Sequence, residues 1–319
     1  MQAIRHPGPN APGDGGRGCS EAHDPRHVNM IGAIQVIIVN FNAGETLSRC
    51  VQSVLSSREK LRITVVDNAS ADGSAEQIQS LFGRLENVEI HCNEQNIGFT
   101  RAVNAAAGMG DEEFLLILNP DCELLPGALG HLQQALDDDP LGALSGPTVV
   151  DRTGMVQKGT LRRFPDPWNS LVTLTGLWRL GRWWPACKGV NRHHSELPDS
   201  NTAVEAVSGA CMLVRRKAFA AAGGMDEGYG LHCEDLDLMY RLHQQGSHCV
   251  FVPAARVFHQ QGVSSRSRPF WVHRQKHLGM QRFFRKFQAE RYPFPVRWLV
   301  IAGIWLRYAV TLPWVLIRN

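Results

Sequence analysis

The chain has 319 residues, of which 44% are hydrophobic and 20% are charged. These values are ordinary for a globular protein, and the length allows one large domain or two. Its eight cysteines form no Cys-x-x-Cys pair, which argues against a zinc site, a dithiol redox motif and a disulfide framework. The net charge of +3 is unevenly spread, because residues 266–319 hold eleven Lys and Arg against one acid. This basic segment predicts an anionic partner of its own.

Residues 1–30 are rich in Gly, Pro, His and Asn and show no hydrophobic periodicity. They predict a disordered leader, and the lack of an apolar core segment argues against a signal peptide. Residues 13–18 match the dinucleotide-binding pattern G-x-G-x-x-G. Because no strand precedes this match and no amphipathic helix follows it, we do not expect it to bind a dinucleotide.

Strands and helices alternate through residues 31–150. Apolar, β-branched runs predict the strands, and segments with helical spacing predict the helices. The predicted strands are 33–39, 61–66, 88–91, 114–118 and 143–150, and the predicted helices are 45–55, 71–81, 99–107 and 125–136. This alternation predicts an α/β fold with a Rossmann-like, mostly parallel sheet and helices on both of its faces.

The pattern changes in the second half of the chain. Residues 151–204 are rich in Trp, Pro and Arg, and we expect them to line or cover a substrate site rather than to extend the sheet. Further strands are predicted within 204–214, followed by a helix at 216–222 and another from Glu234 to about residue 245.

Polar loops follow three of the predicted strands, at 40–42, 67–70 and 119–121. Pro120 cannot donate to a sheet ladder and so ends its strand, which leaves Asp121 at the carboxyl end. Open α/β sheets bind ligands at this edge, and a carboxylate beside an amide suits a divalent cation that holds a diphosphate. The alternative for each loop alone is ordinary turn and cap chemistry.

Three further features carry candidate chemistry. Gly98 at a predicted helix start permits close approach of an anion, and Arg101 can reach a phosphate from the first turn. The alternative for Arg101 is a solvated surface residue. Residues 226–237 are rich in Asp and Glu. A carboxylate directed at a substrate hydroxyl would serve as general base, and the alternative role for these acids is helix capping. His259 is either a structural histidine or a metal ligand.

A series of motifs carries a family resemblance. In chain order they are VIIVNFN, VVDNAS, NIGFTRAVN, LLILNPD, VSGACMLVRR, GGMDEGYGLHCEDLDL and VFHQQGVSS. The series runs from about Ile34 to Ser265 and resembles the family 2 glycosyltransferases of the GT-A fold. It is most similar to the bacterial rhamnosyltransferase-like branch of surface polysaccharide assembly, which residues 157–167 also resemble.

The resemblance implies a nucleotide-diphosphate sugar donor, a divalent metal (Mg²⁺ or Mn²⁺) and inversion at the anomeric carbon. By motif position, it assigns nucleotide binding to Val39, Phe41, Asp67, Asn68, Asn96, Gly98, Arg101 and Asn119. Val39 and Phe41 would flank the base, and Asp67 would hydrogen-bond the base or the ribose. Arg101 would face the diphosphate.

The resemblance also implies the metal ligands and the reacting groups. Asp121 and His259 are the implied metal ligands, and Asn119 stands where the family usually has the first Asp of Asp-x-Asp. Asp235 would deprotonate the acceptor hydroxyl. The remaining residues assigned to the acceptor side are Glu234, Arg163 and Asp226.

The chain is thus expected to have three parts. These are the leader 1–30, a GT-A domain at 31–265 and a basic helical tail at 266–319. Within the GT-A domain, a nucleotide-binding half ends near residue 150 and an acceptor-binding, catalytic half follows it. Residues 298–317 approach the length of a membrane span, but Arg307 and Pro313 favour an interfacial anchor. The alternatives are a helix packed on the domain and, less favoured, nucleic-acid binding, for which no motif is present.

We therefore expect a cytoplasmic glycosyltransferase at the inner face of the cell membrane. It would move a sugar, such as L-rhamnose from dTDP-rhamnose, from a dTDP- or UDP-linked donor to a saccharide or lipid-linked saccharide. A sugar nucleotidyltransferase would need a glycine-rich basic loop after the first strand, which residues 40–43 do not offer. A non-catalytic, membrane-associated assembly partner predicts loss of the acids, yet Asp67, Asp121, Glu234 and Asp235 are all present.

Overall fold

The computed structural model describes residues 34–57, 60–180, 183–184, 189–191, 197–260 and 268–317. The strands are β1 (Ile34–Asn40), β2 (Leu61–Asp67), β3 (Val88–Cys92), β4 (Phe114–Leu118), β5 (Cys122–Leu124), β6 (Gly142–Val150), β7 (Leu161–Arg162), β8 (Thr202–Val204), β9 (Ala206–Val207), β10 (Cys211–Arg215) and β11 (His248–His259). The helices are α1 (Glu45–Leu55), α2 (Ser74–Phe82), α3 (Phe99–Ala107), α4 (Ala128–Asp137), α5 (Pro167–Thr175), α6 (Arg216–Ala221), α7 (Glu234–Gln244), α8 (Pro269–Phe287) and α9 (Phe294–Ile317). The predicted leader and its glycine pattern lie outside the described residues.

One central sheet organises the described chain. Its strand order is β3-β2-β1-β4-β10-β6-β11-β5, and β8 pairs with β11. The strands from β3 to β4 are parallel, whereas β10 runs antiparallel between β4 and β6. β1, β4 and β6 are buried along their whole length, because apolar side chains of α1 and α4 cover one face and those of α3 and α7 the other. The predicted α/β class is confirmed.

Two helices begin later than the sequence pattern predicts. α2 begins at Ser74, whose backbone amide donates to Asp72 Oδ1 at 3.1 Å in a local turn. α4 begins at Ala128, because the Leu125 amide still donates to the Arg256 carbonyl of β11 at 3.1 Å. The preceding strand β5 has three residues, too few to give a periodic signal in the sequence.

The segment 151–204 contributes strands to two sheets. β7 pairs with β9 in a separate two-stranded sheet, which agrees with the expectation. β8, however, pairs antiparallel with β11 and extends the central sheet. The expectation is therefore wrong for β8, because such a short strand is stabilised by its partner and not by its own sequence.

The tail forms two helices. α8 packs on α7, where the Phe283 and Tyr240 rings meet edge to face at 5.6 Å. α9 lies against α8, and Trp305 Nε1 donates to Gln281 Oε1 at 2.6 Å. Residues 294–315 of α9 are long and apolar enough to cross a membrane, by length and composition alone, and no residue of this segment is fully buried in the fold.

Candidate active site

Asp67 lies at the carboxyl end of β2 and is almost fully buried. Its Oδ1 accepts hydrogen bonds from Asn40 Nδ2 and from the Ser70 hydroxyl, both at 2.6 Å, and its Oδ2 accepts one from the Ser70 amide at 2.9 Å. The parallel register of β1 and β2 sets Asn40 opposite Asp67. The network therefore fixes the carboxylate while leaving one acceptor position on Oδ2 for a ligand.

Three more of the predicted nucleotide-binding residues lie beside Asp67. Asn68 Nδ2 donates to the Gly98 carbonyl at 3.3 Å, and the Gly98 amide donates to Asn96 Oδ1 at 2.9 Å. Gly98 has a φ of 90°, a conformation that favours glycine. The loop before α3 is thus tied to the end of β2, so that these residues form one continuous polar surface.

The other predicted contacts to the nucleotide are placed differently. The Val39 side chain lies in the hydrophobic core and is 7% exposed, so that its backbone, not its side chain, is available to a base. The Phe41 ring is half-buried and carries the Arg268 guanidinium 5.0 Å above its centre. Arg101 is largely exposed and pairs with Glu227 at 3.3 Å. Its contact with a diphosphate stays a prediction, because the ligand would have to replace that pair.

The two predicted metal ligands meet across β5 and β11. Cys122 lies opposite His259 in the register of these strands, and the Gln260 amide donates to the Asp121 carbonyl at 2.9 Å. Asp121 Oδ1 and His259 Nε2 consequently lie 3.2 Å apart, and both side chains are largely buried. Residues that are distant in sequence therefore form one cluster at the edge of the sheet.

Gln157 orients the imidazole of His259. Its Nε2 donates to the His259 backbone carbonyl at 2.6 Å, and its Oε1 lies 3.2 Å from His259 Nδ1. With Nδ1 beside Gln157, the other ring nitrogen, Nε2, faces the Asp121 carboxylate. A neutral imidazole nitrogen and a carboxylate oxygen that face each other can both bind one metal ion. The arrangement fits a divalent cation.

Cys122 also has its ligand atom within 4.8 Å of those of Asp121 and His259. Burial raises the pKa of the Cys122 thiol well above its usual range, and the thiol lies 3.5 Å from the Ala210 carbonyl oxygen. A thiol is also a soft ligand, whereas carboxylate and imidazole groups suit harder cations. The donor set therefore consists of a carboxylate oxygen and an imidazole nitrogen, which suits a hard or borderline cation such as Mg²⁺ or Mn²⁺.

Asp235 lies in the first turn of α7 and is held from both sides. Arg162 of β7 forms an ion pair with Asp235 Oδ2, and the Leu236 amide donates to Oδ1 at 2.8 Å. A side chain at Gly209 would collide with the Asp235 carboxylate, so that glycine alone leaves room for it. The Asp235 carboxylate, held beside the Arg162 guanidinium, keeps two further acceptor positions. It can receive a proton from a substrate hydroxyl.

Glu234 precedes Asp235 and has a contrasting environment. It is buried, and its Oε2 has no hydrogen-bond partner among the described residues. Burial, followed by the neighbouring charge of Asp235, raises the pKa of Glu234 to about 8. At neutral pH Glu234 is therefore protonated.

This buried acid predicts a pH dependence of stability. Between its ordinary pKa of 4.5 and about 8, the folded state keeps a proton that the unfolded state loses. The free energy of unfolding therefore falls as pH rises through this window. Glu234→Gln should flatten the fall and be the more stable protein above about pH 8, as measured by urea denaturation across the window. Parallel curves for the two proteins would contradict the assignment.

The structure gives Arg163 and Asp226 contacts that stabilise the fold. Although burial opposes it, hydrogen bonds from Lys286 and Arg282 of α8 lower the pKa of Asp226 to about 2. Lys286 Nζ lies 2.6 Å from the Asp226 carboxylate. Arg163 Nη1 donates to the Gly189 carbonyl at 3.0 Å. Asp226 thus anchors α8 to the catalytic domain, and acceptor contacts for either residue stay predictions.

The sequence prediction assigns no role to three residues that the structure brings to the site. They are Asn40 beside Asp67, Gln157 beside His259, and Arg162 beside Asp235. Arg162 and Arg163 are adjacent in the chain, and successive residues of a strand face opposite sides. The contact of Arg162 with Asp235 joins residues far apart in the chain, so the sequence pattern does not show it.

The sequence is similar to two bacterial rhamnosyltransferases. It is 29% identical over 291 residues to the N-acetylglucosaminyl-diphospho-decaprenol L-rhamnosyltransferase of Mycobacterium tuberculosis, a match that covers 87% of this chain and 92% of that protein. It is 23% identical to rhamnosyltransferase WbbL of Escherichia coli, over 73% of this chain and 86% of that one.

The fold is similar to those of two solved transferases. Mannosyltransferase PcManGT from Pyrobaculum calidifontis, in complex with GDP-Man and Mn²⁺, matches with a TM-score of 0.54 and 16% identity, over 89% of this chain and 72% of that chain. GalNAc-T7, with UDP, GalNAc and Mn²⁺, matches with a TM-score of 0.55 and 17% identity, over 81% of this chain and 51% of that chain. These likenesses confirm the predicted GT-A fold.

Family profiles cover most of the described chain. The profile of "Glycosyl transferase family 2" matches residues 35–222, more than half of the sequence, and that of "Glycosyl transferase family group 2" matches residues 182–318. This result decides for a sugar-transferring enzyme and against a nucleotidyltransferase or a non-catalytic assembly partner. The chain belongs to glycosyltransferase family 2, whose enzymes act with inversion.

Proposed function

We propose that this enzyme transfers L-rhamnose from dTDP-rhamnose to the saccharide of a diphosphate-linked lipid. The choice of sugar and acceptor rests on the similarity to the L-rhamnosyltransferase of Mycobacterium tuberculosis. The transfer chemistry is supported most by the short backbone segment Gly209–Ala210. Gly209 packs against Asp235, and the Ala210 carbonyl accepts a hydrogen bond from the Asn119 amide at 2.9 Å. The candidate base and the candidate metal-binding loop thus lie on either side of two residues, close enough to act on one bond.

The chemistry follows from that arrangement. Asp235 would accept the proton of the acceptor hydroxyl, and the hydroxyl oxygen would form a bond to the anomeric carbon from the face opposite the diphosphate. The bond between the anomeric carbon and the diphosphate oxygen would break, and its electron pair would leave with the nucleoside diphosphate. Attack and departure on opposite faces give inversion. Arg162 pairs with the Asp235 carboxylate and orients it.

Asp121 and His259 are the residues that would hold the divalent cation. When bound, the cation would neutralise the negative charge of the diphosphate leaving group. Asp67, Asn68 and Asn96 would hold the nucleoside at the carboxyl ends of β1 and β2, where sheets of this class bind nucleotides.

Transfer assays with a donor panel test the proposal. dTDP-rhamnose should be used at least about tenfold more efficiently than UDP- or GDP-sugars when the acceptor is N-acetylglucosaminyl diphosphate carrying a farnesyl chain. A preference for a UDP-sugar would overturn the rhamnose assignment and retain the transferase. No transfer from any donor would overturn the proposed function.

We also infer that α9 holds the enzyme at the inner face of the cell membrane. Its outer surface exposes Trp298, Leu299, Leu306, Val310 and Trp314 to an extent of 61% to 71%. Trp side chains are enriched at membrane interfaces, and Lys and Arg favour anionic lipid. Arg307 is half-buried against α8, where its Nη1 lies 3.5 Å from Met280 Sδ. Because α8 covers this central charge, an interfacial position suits the helix better than a span.

Ending the chain after Arg291 should move the enzyme from the membrane fraction to the soluble fraction. Each exposed apolar side chain contributes about 1.5–3 kcal/mol when it is fully buried in lipid, so the Leu299→Glu, Leu306→Glu, Val310→Glu variant should do the same. The matched control is Leu81→Glu, Leu141→Glu, Met155→Glu, at three equally exposed positions of the catalytic domain. Unchanged fractionation of the truncated chain would contradict the anchor.

A further inference from the structure

α8 and α9 bring two cationic side chains together beside the start of α7. On α8, Lys276 is one turn before Gly279, where a Cβ would lie 2.5 Å from the His232 carbonyl oxygen. It is also one turn before Met280, whose sulfur lies 3.5 Å from Arg307 Nη1 of α9. Residues three and four apart are neighbours on a helix surface. Lys276 therefore lies between the residues that precede Glu234 and the Arg307 guanidinium.

Neither cation has a carboxylate partner among the described residues. Arg282 and Lys286, further along α8, pair with Asp226 and Asp237, which shows that this helix can satisfy its charges where acids are near. Lys276 and Arg307 are both half-buried. Burial lowers the pKa of Lys276, and the charge of Arg307 lowers it further. Two partly desolvated like charges are unfavourable unless an anion joins them.

We propose that Lys276 and Arg307 bind the diphosphate of the lipid-linked acceptor, an inference that rests on the proposed function. An acceptor of that class has an apolar chain, a diphosphate and a sugar hydroxyl in linear order. The structure offers the apolar surface of α9, this cationic pair and the carboxylate of Asp235 in the same order. His232 and Cys233 lie between the pair and Glu234. Burial, followed by the charge of Lys276, lowers the pKa of His232.

The donor diphosphate is a less suitable occupant. The candidate cation ligands Asp121 and His259 lie at the junction of β5 and β11, where a metal-bound donor diphosphate would sit. Lys276 and Arg307 belong to the tail helices. Near Lys276, Gly279 of α8 packs against the carbonyl of His232, which precedes α7. A second anionic group, belonging to the acceptor, satisfies the pair without competing for the donor site.

Two acceptors that differ in the diphosphate test the inference. Transfer is measured to N-acetylglucosaminyl diphosphate with a farnesyl chain and to a farnesyl N-acetylglucosaminide without phosphate. Lys276→Gln and Arg307→Gln should each raise the KM for the first acceptor about tenfold or more, as loss of a charged contact does. The KM for the second acceptor and for the donor should not change. Lys276→Arg, which keeps the charge, should have a KM for the first acceptor close to that of the wild type.

The control is Arg274→Gln, an exposed cation two residues before Lys276 on the same helix, which should leave both KM values unchanged. An increase in donor KM in the Lys276 and Arg307 variants, or equal effects on the two acceptors, would overturn the inference. Sedimentation with phosphatidylglycerol vesicles tests whether the pair binds the phosphate of a membrane lipid rather than the acceptor diphosphate. Loss of vesicle binding with unchanged acceptor KM would assign the pair to membrane headgroups and overturn the inference. If the wild-type enzyme transfers sugar to neither acceptor, the proposed function is overturned instead.

Discussion

Asp235→Asn is expected to lower kcat by about 10³-fold, within the range that removal of a general base costs. The amide has nearly the same shape but cannot take the proton of the acceptor hydroxyl. Arg162 would lose an ion pair, yet the Leu236 amide could still bond the side-chain oxygen. Binding of the donor should therefore change little, as measured by titration calorimetry beside the transfer assay.

Asp237→Asn is the matched control for Asp235→Asn, because it alters a carboxylate in the same turn of α7. Asp237 is fully buried, accepts a hydrogen bond from Tyr229 at 3.1 Å and pairs with Arg241 and Lys286. Its loss should lower the thermal midpoint without a comparable loss of kcat in the folded protein, since breaking one partner of a buried pair costs stability. An Asp235→Asn enzyme that kept more than about a tenth of wild-type kcat would show that another group is the base.

Asp121→Asn is expected to abolish metal-dependent binding of the nucleotide. Loss of a residue that only orients a metal ligand typically costs 10- to 100-fold in metal affinity, so removal of a ligand should cost more than about 100-fold. The thermal midpoint of the wild type should rise with dTDP or UDP when Mn²⁺ or Mg²⁺ is present, because these ligands bind the folded state. The variant should show no such rise.

Gln157→Ala gives the intermediate case in the same experiment. Without the Gln157 side chain, the His259 ring loses a hydrogen-bond partner that orients it, and the metal affinity should fall about 10-fold or more. The control is Glu123→Gln, two residues after Asp121, which removes a carboxylate that pairs with Arg49 at 3.1 Å. A metal-dependent rise that survives in Asp121→Asn would remove this residue from the metal site. A rise lost in Glu123→Gln would show that the effect reflects general charge.

The local features of this chain were readable in the sequence. Uninterrupted apolar runs such as Phe114–Leu118 predict strands covered on both faces, and that pattern survives because burial on both sides is a property of the residues themselves. Pro120 ends its strand for a covalent reason, so the position of Asp121 at the sheet edge was also predictable. The order of the motifs was sufficient to indicate the family.

Contacts between distant segments could not be read in the same way. The short strands β5 and β8 exist through their pairing with β11, and three residues carry no period of their own. The choice of Arg162 rather than Arg163 as the partner of Asp235 depends on which face of β7 is turned toward α7. Likewise, the sequence predicts Asp226 to be an acid of the site, whereas in the structure Arg282 and Lys286 of α8 pair with it.

Residue types in a fixed order are enough to predict the α/β class and to indicate the family, and through the family resemblance they name the candidate base and metal ligands. The fold is needed to explain how Asp121 meets His259, why Glu234 keeps its proton beside Asp235, and which tail cations have no carboxylate partner among the described residues. Each of these properties depends on burial and on the distance between residues far apart in the chain. Electrostatic energies depend on that distance and on solvent access, neither of which is encoded in local sequence.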